Sequence, residues 1–328
     1  MTLDRRRFMA GAAGALALTA LTGRAAAAET SLTQVVGGKA FGTYWRAVLP
    51  ADADARAVAA LVGGLVDAVD RSMSPFRADS EITRFNLRRG AGTMEASADF
   101  CTVAGESRRV AALSGGAFEP TIGPLVHRYG FGPISGGLGT YAGIELGDGR
   151  IGKAEGGLTL DFCGVAKGYA LDRIVASLAA AGIADVFVEL GGEVKAIGRH
   201  PAGRPWRVGV EAPGHSALVL QRRVRINGQA LATSGTTANG IELGGHAYSH
   251  IIDPRTGAPV DNGIRSVTVL APSAMEADAL ATALLVMGPE EGGALAQQLA
   301  RPALFIHADG AETMAAGFAA HLDEGEPA

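Results

Sequence analysis

Four stretches of the sequence carry residue types that could do chemistry. Asp278 and Thr282 lie four apart in a helical pattern and so share a face. A carboxylate and a hydroxyl form a hard-oxygen pair suited to Mg2+, which keeps other positions for water and substrate phosphate. Spacing alone fits a local contact on an exposed face better. Asp161-Phe162-Cys163-Gly164-Val165-Ala166-Lys167-Gly168 follows an extended stretch and begins a helix, where backbone N–H groups point at a bound anion. Lys167 falls in the first turn, where its charge opposes the helix dipole. A bound phosphate or an acidic partner would explain it, as would a solvated lysine at a frayed helix start. Tyr248 to Gly257 places His250 in a strand before the turn Asp253-Pro254-Arg255-Thr256-Gly257. That histidine reads either as a general base or as a half-buried strand residue. Ala232 to Thr237 is a hydroxyl-rich loop, suggestive of phosphate binding and equally of a plain turn.

Other patterns drop out on context. Gly147-Asp148-Gly149-Arg150-Ile151-Gly152 has G-x-G-x-x-G spacing, but no helix can open at Lys153-Ala154-Glu155-Gly156-Gly157. Asp148-Gly149 reads instead as a hairpin turn. Ser249 is in no G-x-S-x-G elbow, and S-x-x-K and H-E-x-x-H are absent. Ser273-Ala274-Met275-Glu276 is a capping box, which gives Glu276 a structural task. The four lysines, Lys39, Lys153, Lys167 and Lys195, are so few that each needs a reason.

The elements that must position these groups follow from periodicity. Phe41 to Leu49 reads as a strand, and Val58, Leu61, Val62, Leu65, Val66 and Val69 mark a helix. A second helix is predicted over 97–113, then a Gly- and Pro-rich loop over 115–143 of the kind that is usually functional. Leu158 to Leu160 reads as a short strand feeding a helix with Leu171, Ile174, Val175 and Leu178 on one face. Val186–Val188 and Val194–Ile197 form a strand pair joined through Gly191-Gly192. Further strands are expected at 206–211, 224–226, 247–252 and 266–270, and helices at 275–287 and 290–299. Strands come in runs rather than alternating with helices, which favours an α+β fold over a doubly wound sheet.

Of the 328 residues, 48% are hydrophobic and 19% charged, as in a folded globular chain. Lys and Arg number 29 against 33 Asp and Glu, a net charge of −4, which argues against nucleic acid as a partner. Arginines at 5–7 precede Phe8 and an apolar run to Leu21, with small residues at 25–28 spaced for cleavage before Glu29. The run is 14 residues long, short of the roughly 20 that span a bilayer as a helix. Residues 1–28 thus read as a twin-arginine signal peptide. Residues 29–328 would then form the mature domain, exported to the periplasm by the twin-arginine translocase.

Taken together, the motifs and their order resemble the FAD:protein FMN transferases, the ApbE family. The resemblance runs from Phe41-Gly42-Thr43-Tyr44 through Met73-Ser74-Pro75-Phe76-Arg77-Ala78-Asp79-Ser80-Glu81-Ile82 and Gly116-Ala117-Phe118-Glu119-Pro120-Thr121. It continues through Tyr129-Gly130-Phe131-Gly132, the 161–168 run and Ser249–Gly257 to Glu276-Ala277-Asp278. It implies an α+β fold of largely antiparallel sheets flanked by helices, with FAD as substrate in a cleft between lobes. FMN passes to a Ser or Thr hydroxyl of an acceptor flavoprotein and AMP leaves. The resemblance further implies Mg2+ on Gly164, Asp278, Ala281 and Thr282. FAD would meet Phe41, Phe76, Ala117, Phe118, Glu119, Asp161, Lys167 and Ile252, and His250 would activate the acceptor hydroxyl. Phe41, Phe76 and Glu119 stand where Met, Tyr and Asp are usual, and Cys163 replaces a small residue. Cys163 reads as a buried free thiol rather than a partner of Cys101. The export signal resembles that of the NosX-like branch serving nitrous-oxide respiration, whose acceptors carry a Ser/Thr flavinylation motif in a NosR/Rnf/Nqr-type membrane subunit. An FAD pyrophosphatase and an FAD carrier without chemistry are the alternatives.

Overall fold

A computed structural model describes residues 32–214, 219–236, 241–243 and 246–324. The proposed signal peptide, Thr237 and the chain termini lie outside them. The strands are β1 (Thr33–Ala40), β2 (Thr43–Pro50), β3 (Gly92–Glu95), β4 (Ile144–Gly147), β5 (Arg150–Lys153), β6 (Val186–Leu190), β7 (Glu193–Ile197), β8 (Trp206–Glu211) and β9 (Leu220–Ile226). They continue as β10 (Ala230–Gly235), β11 (Ile241–Leu243), β12 (His246–Tyr248), β13 (Ile252–Asp253), β14 (Ala258–Pro259), β15 (Ile264–Ala271), β16 (Ala303–His307) and β17 (Glu312–Ala315). The α-helices are α1 (Ala55–Met73), α2 (Glu81–Leu87), α3 (Ala98–Leu113), α4 (Gly123–Arg128), α5 (Ala166–Ala180) and α6 (Ala274–Leu299).

Eight strands form one sheet in the order β1-β2-β6-β7-β10-β15-β16-β17, every neighbouring pair antiparallel. Side chains alternate across it, as the period of two requires. Val186, Val188, Val267, Val269 and Phe305 enter the core shared with α1, α3, α5 and α6. Phe187, Leu270, Leu304 and Ile306 face the opposite way, onto Trp206, Val208 and Val210 of β8 and onto Phe318. Full burial of each such side chain contributes about 1.5–3 kcal/mol, so both faces of the sheet are fixed. This is the α+β arrangement expected.

Three local predictions need correction. Leu158–Leu160 forms no strand; one isolated bridge, Gly137 to Leu158, is its entire ladder. Residues 232–235 are not a loop but the greater part of β10, paired along their length with β15. The stretch at 247–252 is broken between β12 and β13, and His250 lies in the bend between them. The 115–143 loop also contains α4 and a short 3-10 turn at Tyr141–Gly143. The Asp148-Gly149 hairpin between β4 and β5 stands as expected. Among the described residues no helix is long and apolar enough to cross a membrane.

The helix after β15 is bent where Gly288 adopts φ 80° and Pro289 follows. Proline cannot donate back into the ladder. Side chains from the preceding loop take up the freed carbonyls, Asn262 Nδ2 donating to Leu285 at 2.8 Å and Arg255 to Val286 at 3.3 Å.

Candidate active site

The chain enters the site along residues 158–165. That stretch lacks a strand neighbour, and side chains take the neighbour's place. Asn86 Nδ2 donates to the Leu160 carbonyl at 2.9 Å, and the Leu160 N–H donates back to Asn86 Oδ1 at 2.7 Å. The fully buried Lys153 donates to the carbonyls of Phe85, Arg88 and Leu158 at 3.0, 2.8 and 2.8 Å. The Asp161 N–H reaches the Pro120 carbonyl at 2.7 Å, and the Asp161 carboxylate accepts from the Cys163 N–H at 2.9 Å. Cys163 and Cys101 are both free, and Cys163 is exposed rather than buried.

Helix α5 starts with Val165 in the capping position, no side-chain cap and no acid in its first turn. Its orphan amides look for an acceptor elsewhere. The Gly168 N–H finds Asp278 Oδ2 at 3.0 Å on α6. A Cβ on Gly168 would lie 2.2 Å from the Ala274 carbonyl oxygen, so only glycine lets the two helices meet this closely. Lys167 Nζ bonds Glu193 Oε1 and stands 3.9 Å from Asp278 Oδ1. An acidic partner therefore accounts for a lysine at the wrong end of a helix. Burial alone would lower the Lys167 pKa, but the carboxylates of Asp278 and Glu193 outweigh it and hold the ammonium above its ordinary value. Burial pushes the Glu193 carboxyl up to about 7 against the pull of Lys167. Burial likewise raises Asp278, opposed by Lys167 and the Gly168 N–H.

Asp278 is placed by a well-anchored helix start. Ser273 Oγ accepts from the Glu276 N–H at 3.3 Å, while Asp172 accepts from Ser273 Oγ, Ala274 N–H and Met275 N–H at 2.6–3.0 Å. The reciprocal arm of the expected capping box is replaced, because Glu276 pairs with Arg109 and Arg301, each at 3.0 Å. The face shared by Asp278 and Thr282 is not exposed: Asp278 is 4% and the intervening Ala281 0% exposed. Thr282 Oγ1 shares a hydrogen bond with Ser234 Oγ at 3.0 Å. A Cβ on Gly164 would sit 3.5 Å from Thr282 Oγ1 and 3.3 Å from Phe118, so the loop backbone closes on that hydroxyl. One buried carboxylate and a hydroxyl, with the loop backbone closing on the hydroxyl, make a hard-oxygen donor set that fits a divalent cation. No group of three or more His, Cys, Asp or Glu gathers at a metal-binding distance among the described residues.

His250 has a ring edge against Phe131, with centroids 6.2 Å apart, and a buried Nδ1 without a partner. Burial pushes its imidazole down to about 4, with a further contribution from the Lys167 charge. It is a neutral base at pH 7. Ile252, two residues on, is buried in β13. Ala117 and Phe118 are buried in the core beside Gly164. Glu119 is occupied by Thr121 (N–H at 3.1 Å, Oγ1 at 2.9 Å) and by the Tyr141 N–H at 3.1 Å, and burial raises its pKa. Phe41 occupies the β1–β2 turn at φ 49°, a left-handed conformation unusual for an aromatic. Phe76 is 66% exposed, after α1. The residues that come together are thus Gly164, Lys167, Asp278 and Thr282 with Phe118, and His250 lies near enough to feel the Lys167 charge. Two more residues join them: Glu193, which sequence reading missed, and Ser234, from the hydroxyl-rich stretch singled out at 232–237. A carboxylate directly after Gly191-Gly192 in an otherwise apolar hairpin was the available signal for the first.

The eight-stranded antiparallel sheet, its flanking helices and the loop–helix site form an α+β fold shared with flavin transferases of known structure. The flavin transferase ApbE of Vibrio cholerae superposes with a TM-score of 0.79 at 32% identity, over 88% of this chain and 100% of that one. The apo flavinyl transferase ApbE of Pseudomonas stutzeri gives 0.79 at 30% identity, over 90% and 98%. In sequence, the chain is 36% identical over 271 residues to the FAD:protein FMN transferase of Vibrio cholerae, covering 78% of this chain and 81% of that protein. It is 35% identical over 287 residues to the Escherichia coli protein of the same name, covering 80% and 82%. The profile of the ApbE family matches residues 41–305, and the chain belongs to that family.

Proposed function

We propose that this protein is an FAD:protein FMN transferase, moving FMN from FAD to a Ser or Thr hydroxyl of an acceptor flavoprotein. The observation that carries the chemistry is the meeting of Lys167, Asp278, Thr282 and Gly164 at one helix junction, with a neutral His250 whose Nδ1 is open. The acceptor oxygen forms a bond to the FMN-side phosphorus, the pyrophosphate P–O bond breaks, and AMP leaves with the bridging oxygen. His250 takes the hydroxyl proton, a task for which a base must be unprotonated and close. Lys167 would meet negative charge on the pyrophosphate of FAD. Asp278 and Thr282, with the carbonyls of Gly164 and Ala281, would hold Mg2+, which would supply charge neutralisation and a template for in-line attack. Phe41, Phe76, Ala117, Phe118, Glu119, Asp161 and Ile252 contact FAD in this reading.

Residues 1–28 direct export to the periplasm by the twin-arginine route, and the acceptor is a NosR/Rnf/Nqr-type membrane subunit of the NosX-like branch. Replacing both Arg6 and Arg7 by Lys would retain a reporter fusion in the cytoplasm if this is right. The enzyme is tested by incubating it with FAD, Mg2+ and an acceptor domain, following in-gel flavin fluorescence and free AMP. A fluorescent band lost in Asp278→Ala supports transfer. AMP and FMN without a band mean hydrolysis, and FAD binding with no AMP means a carrier.

A further inference from the structure

One group in this site has no task in the reading above. Glu193 opens β7 directly after the Gly191-Gly192 turn and closes that hairpin opposite Leu190. Its side chain is 4% exposed. Oε1 accepts from Lys167 Nζ, and Oε2 is buried without any hydrogen-bond partner. One ammonium therefore lies between two buried carboxylates, and the hairpin, not α6, holds it.

The oxygen-by-oxygen arrangement gives this a consequence. Asp278 Oδ2 is committed to the Gly168 N–H, which leaves Oδ1 as the open oxygen. It is Oδ1 that Lys167 Nζ faces at 3.9 Å, beyond hydrogen-bond reach. A buried charge seeks a partner, so a lysine with no other acceptor would close that gap and occupy Oδ1. With both carboxylates ionised, Lys167, Glu193 and Asp278 together carry a charge of −1; without Glu193 they carry none. We infer that Glu193 is a positioning residue that draws Lys167 away from Asp278 and keeps Oδ1 and a net negative charge available to a divalent cation. The same tether leaves Lys167 with an unspent N–H for a phosphate oxygen. The inference rests on the proposed function for the identity of that cation.

The test uses Mn2+ alone as the probe, its binding to the full chain followed by electron paramagnetic resonance at pH 8 without FAD. The signal lost in Asp278→Ala defines the site. Glu193→Ala is expected to weaken Mn2+ binding there by about tenfold or more, since it removes one negative charge from a buried cluster and frees Lys167 to occupy Oδ1. Adding Lys167→Met to Glu193→Ala removes the competing ammonium, restores the net charge to −1 and should recover most of the lost affinity. A purely structural role predicts no such rescue. If Glu193→Ala does not fold, Glu193→Gln with and without Lys167→Met makes the same comparison. Unchanged Mn2+ affinity in the single variant, no recovery in the double, or a wild type that takes up no Mn2+ at Asp278 would each overturn the inference. A wild type that binds Mn2+ normally but cleaves no FAD would instead sink the transferase reading and leave Glu193 where it is.

Discussion

Acidification is the perturbation that tests the environment of His250 most directly. Its imidazole is pushed from 6.5 to about 4 by burial and by the Lys167 charge. A base whose folded pKa is depressed binds fewer protons folded than unfolded, so its contribution to stability is complete above pH 6.5 and falls away as pH drops toward 4. Integrating the linkage relation over that window gives a loss of roughly 2–3 kcal/mol by pH 4.5. Glu193 works in the opposite sense, because its carboxyl is raised to about 7 and its protonation favours the folded state on acidification. The raw pH profile of the wild type would therefore mix the two. The difference between wild type and His250→Gln isolates the histidine, since Glu193 is common to both. Urea denaturation at pH 7.5 and 4.5 should show the wild type losing roughly 2–3 kcal/mol more than the variant. A histidine Cε1–H resonance assigned by its absence in the variant should titrate near 4. Parallel stability curves, or a resonance with a midpoint near 6.5, would refute the claim that this ring is buried beside an ammonium.

Three further outcomes follow from the packing. Gly168→Ala places a methyl 2.2 Å from the Ala274 carbonyl oxygen, so α5 and α6 must part, and a loss of about 3 kcal/mol or more in denaturant stability is expected. Lys153→Met orphans three buried carbonyl contacts and should cost about 2–4 kcal/mol, read by urea unfolding; a change under about 0.5 kcal/mol would show that water replaces the ammonium. Asp172→Ala removes the acceptor for Ser273, Ala274, Met275 and Lys195, costing about 2–3 kcal/mol and loosening the helix start that carries Asp278.

Much of the fold was legible because local chemistry and tertiary fate agree. Ser97 caps the helix predicted at 97–113, accepting from the Phe100 N–H, and β8 alternates buried and exposed residues along 206–211. Gly191 and Gly192 take φ 63° and 107° in the predicted hairpin turn. What escaped was specified from a distance. The sheet-edge strand β1, with Gly37-Gly38-Lys39 in its middle, shows little apolar alternation, and α2 is only seven residues long. Leu158–Leu160 resembles a strand, yet its hydrogen bonds go to Asn86 and Lys153, more than 70 residues away in one case and from a buried ammonium in the other. In the site, Lys167 stood out by its place in the first turn of a helix, whereas Asp278 and Thr282, whose spacing alone favoured an exposed local contact, were marked only by the family resemblance. Glu193 and Ser234 reach it only through the order of strands in the sheet.

The turn between β1 and β2 makes two demands on one side chain. A two-residue connection with positive φ at both positions suits glycine and asparagine, and Gly42 obliges at φ 77°. Phe41 pays about 1 kcal/mol or more to stand beside it. Phe41→Gly would release that strain but also remove a half-buried ring that packs against the core, so the unfolding midpoint should not rise, while FAD binding should weaken if the ring stacks on the bound dinucleotide. A laboratory selection for heat tolerance alone would therefore keep an apolar side chain here without asking what else the ring does. The strained turn is thus a position where ruggedness and turnover depend on two different properties of one side chain.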